Sequence, residues 1–224
     1  MKVVFTGSSG YIGSQVFKQA LADKRIDKIV NLVRRLPTNS SVQHDKVRTI
    51  IVKDFNNYDK ETITEIEDAD AAIWCAGTFT GDQVVHVEYP TTFYNVVTSR
   101  PAFKTRTTPF RFVYLGGAFT EPDQSKTLWF MPTARKGSGR GQTAVADFSR
   151  MANFEGYVVK PGIALRAYDE ASWLARAFGW LAGSYWTAWN DEVAKVMIDV
   201  ASGGHRDVLI SSREIAETAK SRSD

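Results

Sequence analysis

A chain of 224 residues with 43% hydrophobic and 24% charged residues has the composition of an ordinary globular protein, which excludes a disordered or fibrous one. The formal net charge of +3 is small and its basic residues are dispersed, apart from a locally basic stretch from Arg100 to Arg111, so nucleic acid is not expected as a partner. Cys75 is the only cysteine and there are three histidines, which excludes an internal disulfide and a thiolate-rich metal site, and no metal is expected.

The opening run Met1-Lys2-Val3-Val4-Phe5 is apolar but ends at Gly7. It is too short for a signal peptide or a membrane span and reads as a strand of a cytoplasmic protein. Lys2 to Thr6 is the first predicted strand, and Tyr11 to Ala22 a helix that turns Ile12, Val16, Ala20 and Leu21 inward. Further strands are predicted at Lys28–Val33, Val47–Val52 and Ala71–Cys75. Pro90 suits the first turn of a helix that Thr91 to Ser99 continues and Pro101 closes. Arg111–Leu115 is a fifth strand, Gly141–Asn153 a helix, and Tyr157–Lys160 a sixth strand that ends at Pro161-Gly162. Beyond it the rhythm loosens and aromatic residues gather at Trp173, Phe178, Trp180, Tyr185, Trp186 and Trp189. A helix at Asp191–Ala201, a short strand at Val208–Ile210 and a helix at Ser212–Ala219 precede a polar tail. Strands alternating with helices predict one α/β domain over residues 1–224, a Rossmann-type doubly wound parallel sheet with a substrate-cap region at about 163–190.

The strongest local signal is Thr6-Gly7-Ser8-Ser9-Gly10-Tyr11-Ile12-Gly13, placed between an apolar strand and an amphipathic helix. The first glycine permits a tight turn, the second lets backbone approach phosphate, and the third lets helix and strand pack closely. Free amide hydrogens at the helix start, backed by the helix dipole, then face a pyrophosphate. The second strand ends in Asn31-Leu32-Val33-Arg34-Arg35, with no carboxylate for a ribose 2′-hydroxyl. Guanidinium groups bind a 2′-phosphate through paired hydrogen bonds, so Arg34 and Arg35 favour NADP(H) over NAD(H). The same arginines also read as a surface pair.

Together these residues resemble an atypical short-chain dehydrogenase/reductase of the NmrA-like, NAD(P)-binding branch. The resemblance covers nearly the whole chain and rests on the glycine turn, Arg34, Asp54-Phe55, Cys75-Ala76-Gly77-Thr78 and Lys160-Pro161-Gly162. It implies that Asp54 and Phe55 lie near adenine, that Ala76, Gly77 and Thr78 flank the ribose and pyrophosphate, and that Pro161, Gly162 and Ile163 face the nicotinamide. Turn-making is the simpler alternative for Asp54, Gly77 and Gly162.

The chain departs from the family in its chemistry. Active members carry a Tyr-x-x-x-Lys pair after the fifth strand, with the lysine lowering the tyrosine pKa for proton exchange. Here the segment after that strand is Leu115-Gly116-Gly117-Ala118, without the usual serine. The following helix begins Ala134-Arg135-Lys136-Gly137-Ser138-Gly139-Arg140-Gly141, which by spacing puts Lys136 in the tyrosine position and Arg140 in the lysine position. Lys136 would serve as an acid if Arg135 and Arg140 depressed its pKa, whereas Arg140 is restricted to hydrogen bonding. The alternative is a solvated glycine-rich loop, or a grip on cofactor phosphate.

His86 and Glu88 precede the proline-started helix, where His86 would be a general acid if it reached the cleft, although surface placement is the simpler expectation. Tyr94 and Tyr114 are further phenols, the latter expected to be packed within its strand. The tryptophan-rich segment reads as an aromatic pocket, a homodimer face or a membrane-surface helix. Gly179 and Gly183, with Arg176 and Asp191 at the edges, favour a buried wall or pocket, and so no membrane partner is expected. Three functions fit: an NADP(H)-dependent oxidoreductase for a small hydrophobic, aromatic or polyketide-like carbonyl, alcohol or enone; a catalytically inactive NADP(H)-sensing regulator or scaffold; and a non-redox isomerase or cyclase. The aromatic region tips the reading toward the first.

Overall fold

The strands β1 (Lys2–Thr6), β2 (Lys28–Val33), β4 (Ala71–Trp74), β5 (Phe110–Leu115) and β6 (Phe154–Val159) are mostly apolar and buried, whereas β3 (Val47–Ile51) carries Arg48 and Thr49 and stands at the sheet edge with none of its residues buried. Apolar burial is what a parallel strand covered on both faces requires. In the computed structural model, which describes residues 1–36, 44–117 and 119–220, they join β9 (Leu209–Ile210) in one seven-stranded sheet of order β3-β2-β1-β4-β5-β6-β9, parallel throughout. Ala118 and the polar tail lie outside the described residues. The reversal of strand order between β1 and β4 creates the crevice at the carboxyl edge where doubly wound folds bind their ligands. The predicted Rossmann-type architecture is the one present.

Alternation along each strand sends its side chains to two separate layers. Val3 and Phe5 pack with Val16, Phe17 and Ala20 of α1 (Gly13–Ala22) and with Val193 and Met197 of α7 (Asn190–Gly203). Val4 joins the opposite layer, with Phe93 and Val97 of α3 (Tyr89–Thr98) and Val145 and Phe148 of α5 (Pro132–Phe148). That second layer is aromatic: Phe110 and Phe154 stack with centroids 5.3 Å apart, and Trp74 and Phe93 lie 5.5 Å apart.

Several elements depart from expectation. Helix α2 (Lys60–Ile66) has no counterpart in the sequence reading; it starts where the Asp59 carboxylate accepts a 2.7 Å bond from the Thr62 amide. A π-helical turn at Val84–Glu88 leads into α3, so the helical path begins before Pro90, and Pro101 opens a further short helix, α4 (Pro101–Lys104). β6 starts three residues earlier than predicted.

Helix α5 begins at Pro132, nine residues before the expected Gly141, so its glycines stand inside a helix and not in a solvated loop. Each lies where another backbone passes. A Cβ on Gly137 would stand 1.9 Å from the Gly81 carbonyl oxygen, one on Gly139 2.0 Å from that of Glu121, and one on Gly141 2.4 Å from that of His86. Close approach outweighs the low helix propensity of glycine here.

After β6, β7 (Ile163–Leu165) pairs in parallel with β8 (Thr187–Trp189) around α6 (Trp173–Trp186), and α8 (Ser212–Lys220) closes the chain. The expectation of a buried aromatic wall fails for the two ends of α6, because Trp173 is 75% exposed and Trp186 54%. Trp189 is partly buried, edge-on to Tyr168 at 5.0 Å and packed on Gly179. Among the described residues no helix is long and apolar enough to cross a membrane.

Candidate functional site

At the carboxyl edge of β1, β2, β3 and β4 lies a cleft of about 250 Å³. It is lined by Gly7, Ser8, Ser9 and Gly10 from the first turn, Leu32–Arg35 at and after the end of β2, Phe55 after β3, Cys75–Gly77 after β4, Val85 from the π-helical turn and Tyr89 from the start of α3.

The turn is built as its glycines require. Gly7 has φ +79°, and a Cβ there would lie 2.5 Å from the Cys75 carbonyl carbon. A Cβ on Gly13 would lie 2.1 Å from the Gly7 oxygen, so α1 meets β1 backbone to backbone. The Gly10 amide donates to the Gly7 oxygen at 2.9 Å, closing the loop. Ile12, the N-cap of α1, supplies no side-chain cap, and the first turn holds no carboxylate, so no acidic side chain offsets the positive end of the helix behind the turn. Ser8 is buried and lines the same space, yet among the described residues its Oγ has no hydrogen-bond partner. A ligand or an ordered water in the cleft would complete it.

Arg34 and Arg35 stand exposed at one wall, and neither forms an ion pair among the described residues. Phe55 is buried with its ring edge-on to Trp74 at 5.7 Å, while the neighbouring Asp54 is exposed and caps a turn by accepting the Asn56 amide at 2.9 Å. Burial pushes the Cys75 thiol well above its usual range, so it lines the cleft as a small neutral group.

The sequence-derived site residues divide between this cleft and its surroundings. Gly7, Ser9, Gly10, Arg34, Arg35, Phe55, Ala76 and Gly77 line it; Gly13 supports it from behind, and Tyr11 and Ile12 belong to the turn that borders it, with Tyr11 exposed. Pro161, Gly162 and Ile163 lie farther along the sheet edge, at the end of β6. There Gly162 (φ +65°) packs against the Trp186 carbonyl, 2.5 Å from where its Cβ would be. Lys136 and Arg140 are not among the lining residues. Both bind one loop residue, Gln124: Lys136 Nζ donates to its carbonyl at 2.8 Å and Arg140 Nη1 to its Oε1 at 2.9 Å.

His86 corrects the expectation of surface placement, for it is 6% exposed. Its Nδ1 meets the Tyr114 hydroxyl at 2.7 Å, and its Nε2 meets the Thr78 carbonyl oxygen at 2.8 Å, which anchors the loop after β4. Burial lowers the pKa of the imidazole and raises that of the Tyr114 phenol, so both are neutral near pH 7. Glu88 is exposed. Ser8, Leu32, Val33, Cys75, Val85 and Tyr89 also line the cleft and are not among the sequence-derived site residues; nothing in the sequence marks the π-helical turn that carries Val85 inward.

No family model matches the sequence, and no curated protein matches it. Similar folds are found among solved structures. The reductase domain of PhqB from Penicillium fellutanum is 16% identical with a TM-score of 0.65, over 93% of this chain and 66% of that one. DesIV, the dTDP-glucose 4,6-dehydratase of Streptomyces venezuelae, solved with NAD bound, is 16% identical with a TM-score of 0.63, over 99% of this chain and 80% of that one. An oxidoreductase of the short-chain dehydrogenase/reductase family from Burkholderia thailandensis is 17% identical with a TM-score of 0.62, over 99% and 96%. The chain therefore shares a Rossmann-type α/β fold with these proteins.

Proposed function

We propose that this protein is an NADP(H)-dependent oxidoreductase acting on a small hydrophobic carbonyl, alcohol or enone. The observation that carries the reading is the cleft itself: the glycine turn at the start of α1 and the Ser8 hydroxyl border a space that also holds two arginines, and among the described residues neither that hydroxyl has a hydrogen-bond partner nor those arginines an ion pair. Amide hydrogens and Ser8 suit the pyrophosphate, Phe55 offers an apolar face for adenine, and Arg34 and Arg35 suit a 2′-phosphate. The names of the structural neighbours, a reductase domain, an NAD-bound dehydratase and a short-chain dehydrogenase/reductase, agree with a nicotinamide cofactor. That cofactor supplies hydride when bound; the protein orients it and supplies the proton.

Titration calorimetry with NADP⁺ and NAD⁺ on the wild type and on Arg34→Ala/Arg35→Ala tests the cofactor reading. The expected result is tighter binding of NADP⁺ in the wild type, by about tenfold or more for one lost paired contact of about 1.4 kcal/mol, and equal binding of both in the variant. Absence of binding by either dinucleotide refutes it. Turnover of NADPH with aromatic ketones and quinones tests the reaction.

A second reading, an NADP(H)-sensing regulator, is favoured by the engagement of Lys136 and Arg140 with Gln124 and by exposed Trp129, Phe130 and Met131 beside them in the β5–α5 connection. Tight dinucleotide binding without turnover, with recovery of a specific protein partner, would select it.

A further inference from the structure

Lys160 follows the last residue of β6, at the carboxyl edge of the sheet, with its amide donating to the Ile210 carbonyl at 2.8 Å. In the parallel register Leu115 pairs with Val159, and the Gly116 amide donates to the Val159 oxygen at 2.8 Å, so Gly116 and Lys160 leave the two strands side by side. A Cβ added to Gly116 would stand 3.1 Å from Lys160 Cγ and 3.0 Å from Val158 Cγ1. The lysine stem therefore runs over the space that a side chain at position 116 would fill. The short-chain dehydrogenase/reductase pattern puts a serine after this strand; here the serine is missing and an amine-bearing chain crosses its place.

The strand order adds direction. With the arginines after β2 on one side of the crossover, the ends of β4, β5 and β6 lie on the other, where the reactive end of an extended dinucleotide falls. Lys160 is half-buried, and among the described residues its ammonium group has neither an ion pair nor a side-chain hydrogen bond. The charged group that bears on it is Glu121 in the β5–α5 connection, and that carboxylate is itself paired with Lys126 at 2.8 Å. Desolvation outweighs Glu121 and holds the amine below the usual lysine range. Lys136 differs, being tied to a loop carbonyl.

We propose that Lys160, which stands beyond the lined cleft at the end of β6, is the acid–base residue for a substrate held at this part of the sheet edge, giving a proton to the oxygen of a carbonyl substrate and taking it back in the reverse direction. The inference rests on the oxidoreductase reading above. In reduction the carbonyl π bond breaks, a C–H bond forms with the hydride supplied by dihydronicotinamide, and an O–H bond forms with the proton leaving Nζ. The neutral amine is then reprotonated from water.

The test combines a residue-specific probe with kinetics. Lysines of the whole protein are methylated reductively with ¹³C-formaldehyde, and the Lys160 resonance is assigned by its loss in Lys160→Arg. It is expected to titrate below the other lysines and to shift when NADP⁺ is added. Co-titration with the bulk lysines, or indifference to a dinucleotide that calorimetry shows to bind, overturns the proposal whether or not a substrate has been found. With a reducible carbonyl from the panel, Lys160→Met is expected to bind NADP⁺ within about twofold of wild type and to lose about 10²-fold or more in kcat, the range ascribed to a general acid. Its rate should also lose the alkaline limb seen in wild type, where activity falls as the ammonium deprotonates. Lys160→Arg keeps the charge and much of the stem without a proton to give, so it should be equally slow. Small primary amines should restore part of the rate to Lys160→Ala. Wild-type kcat and pH profile in either the methionine or the arginine variant would refute the role, and failure of the wild type to bind any dinucleotide would instead refute the function it rests on.

Discussion

Replacing Gly13 and Gly10 one at a time by alanine separates the two tasks of the phosphate turn, because the structure assigns them to different glycines. The Gly13 methyl would arrive 2.1 Å from the Gly7 oxygen and 3.0 Å from Cys75 Cβ. An ordinary carbon–oxygen contact is about 3.3 Å or more, so α1 must move away from β1 by about 1 Å. Overpacking of this kind costs about 1–3 kcal/mol, which for a domain of this size is a melting temperature lower by roughly 3–10 °C. The Gly10 methyl would arrive 3.2 Å from the Gly7 oxygen and meet nothing closer, and Gly10 is not among the residues with positive φ. Its folding cost should therefore be under about 1 kcal/mol.

Gly10 nonetheless lines the cleft, and its methyl enters the space where backbone must approach phosphate. Calorimetric melting of the ligand-free proteins and titration with NADP⁺ give the two readouts. Gly10→Ala should melt close to wild type and lose about tenfold or more in affinity, equivalent to about 1.4 kcal/mol. Gly13→Ala should melt lower before any ligand is added. Wild-type melting of Gly13→Ala would refute the close packing of α1, and wild-type affinity in Gly10→Ala would refute the phosphate role of the turn.

Three further outcomes follow from groups the sheet buries. Tyr114→Phe removes the 2.7 Å bond to His86 and strands a buried ring nitrogen, so thermal unfolding should show a loss of about 1–3 kcal/mol. Burial makes the folded His86 bind a proton less readily than a free imidazole, whose pKa is about 6.5, so the stability it confers is complete above that pH and is lost as pH falls through it toward the lower folded value; His86→Gln should flatten that limb of the melting temperature against pH. Asn31 is fully buried in β2 with both amide atoms unpartnered among the described residues, so Asn31→Leu should raise stability by about 1–2 kcal/mol in denaturant titration, and a lower midpoint would show that the amide is satisfied in solution.

The sheet was legible because parallel strands need apolar residues on both faces. Val3, Val4 and Phe5 are all fully buried, and a run of that kind announces itself without knowledge of its neighbours. Helix α5 was misplaced for the opposite reason. Gly137, Gly139 and Gly141 lower intrinsic helicity, and what repays it, the backbone of Gly81, Glu121 and His86 lying against them, comes from residues far away in sequence. Helix α2 escaped notice because seven residues leave little periodicity to detect, and its clearest mark is a single capping aspartate.

The site divides along the same line. The Gly7–Gly13 turn could be read because its parts are contiguous: each glycine answers to a strand or helix a few residues away. The proton donor could not be found by counting along the expected helix, because spacing transfers a role only if the side chain at that position points into the same space. Lys136 has the right spacing and is spent on Gln124. Gly116 and Lys160 are 44 positions apart in the chain and adjacent only through the β5–β6 ladder, where the loss of a side chain at one strand end makes room for an amine at the next. An absent Tyr-x-x-x-Lys pair is therefore weak grounds for an inert protein in this fold, since any of the neighbouring strand ends can deliver a titratable group to the same edge.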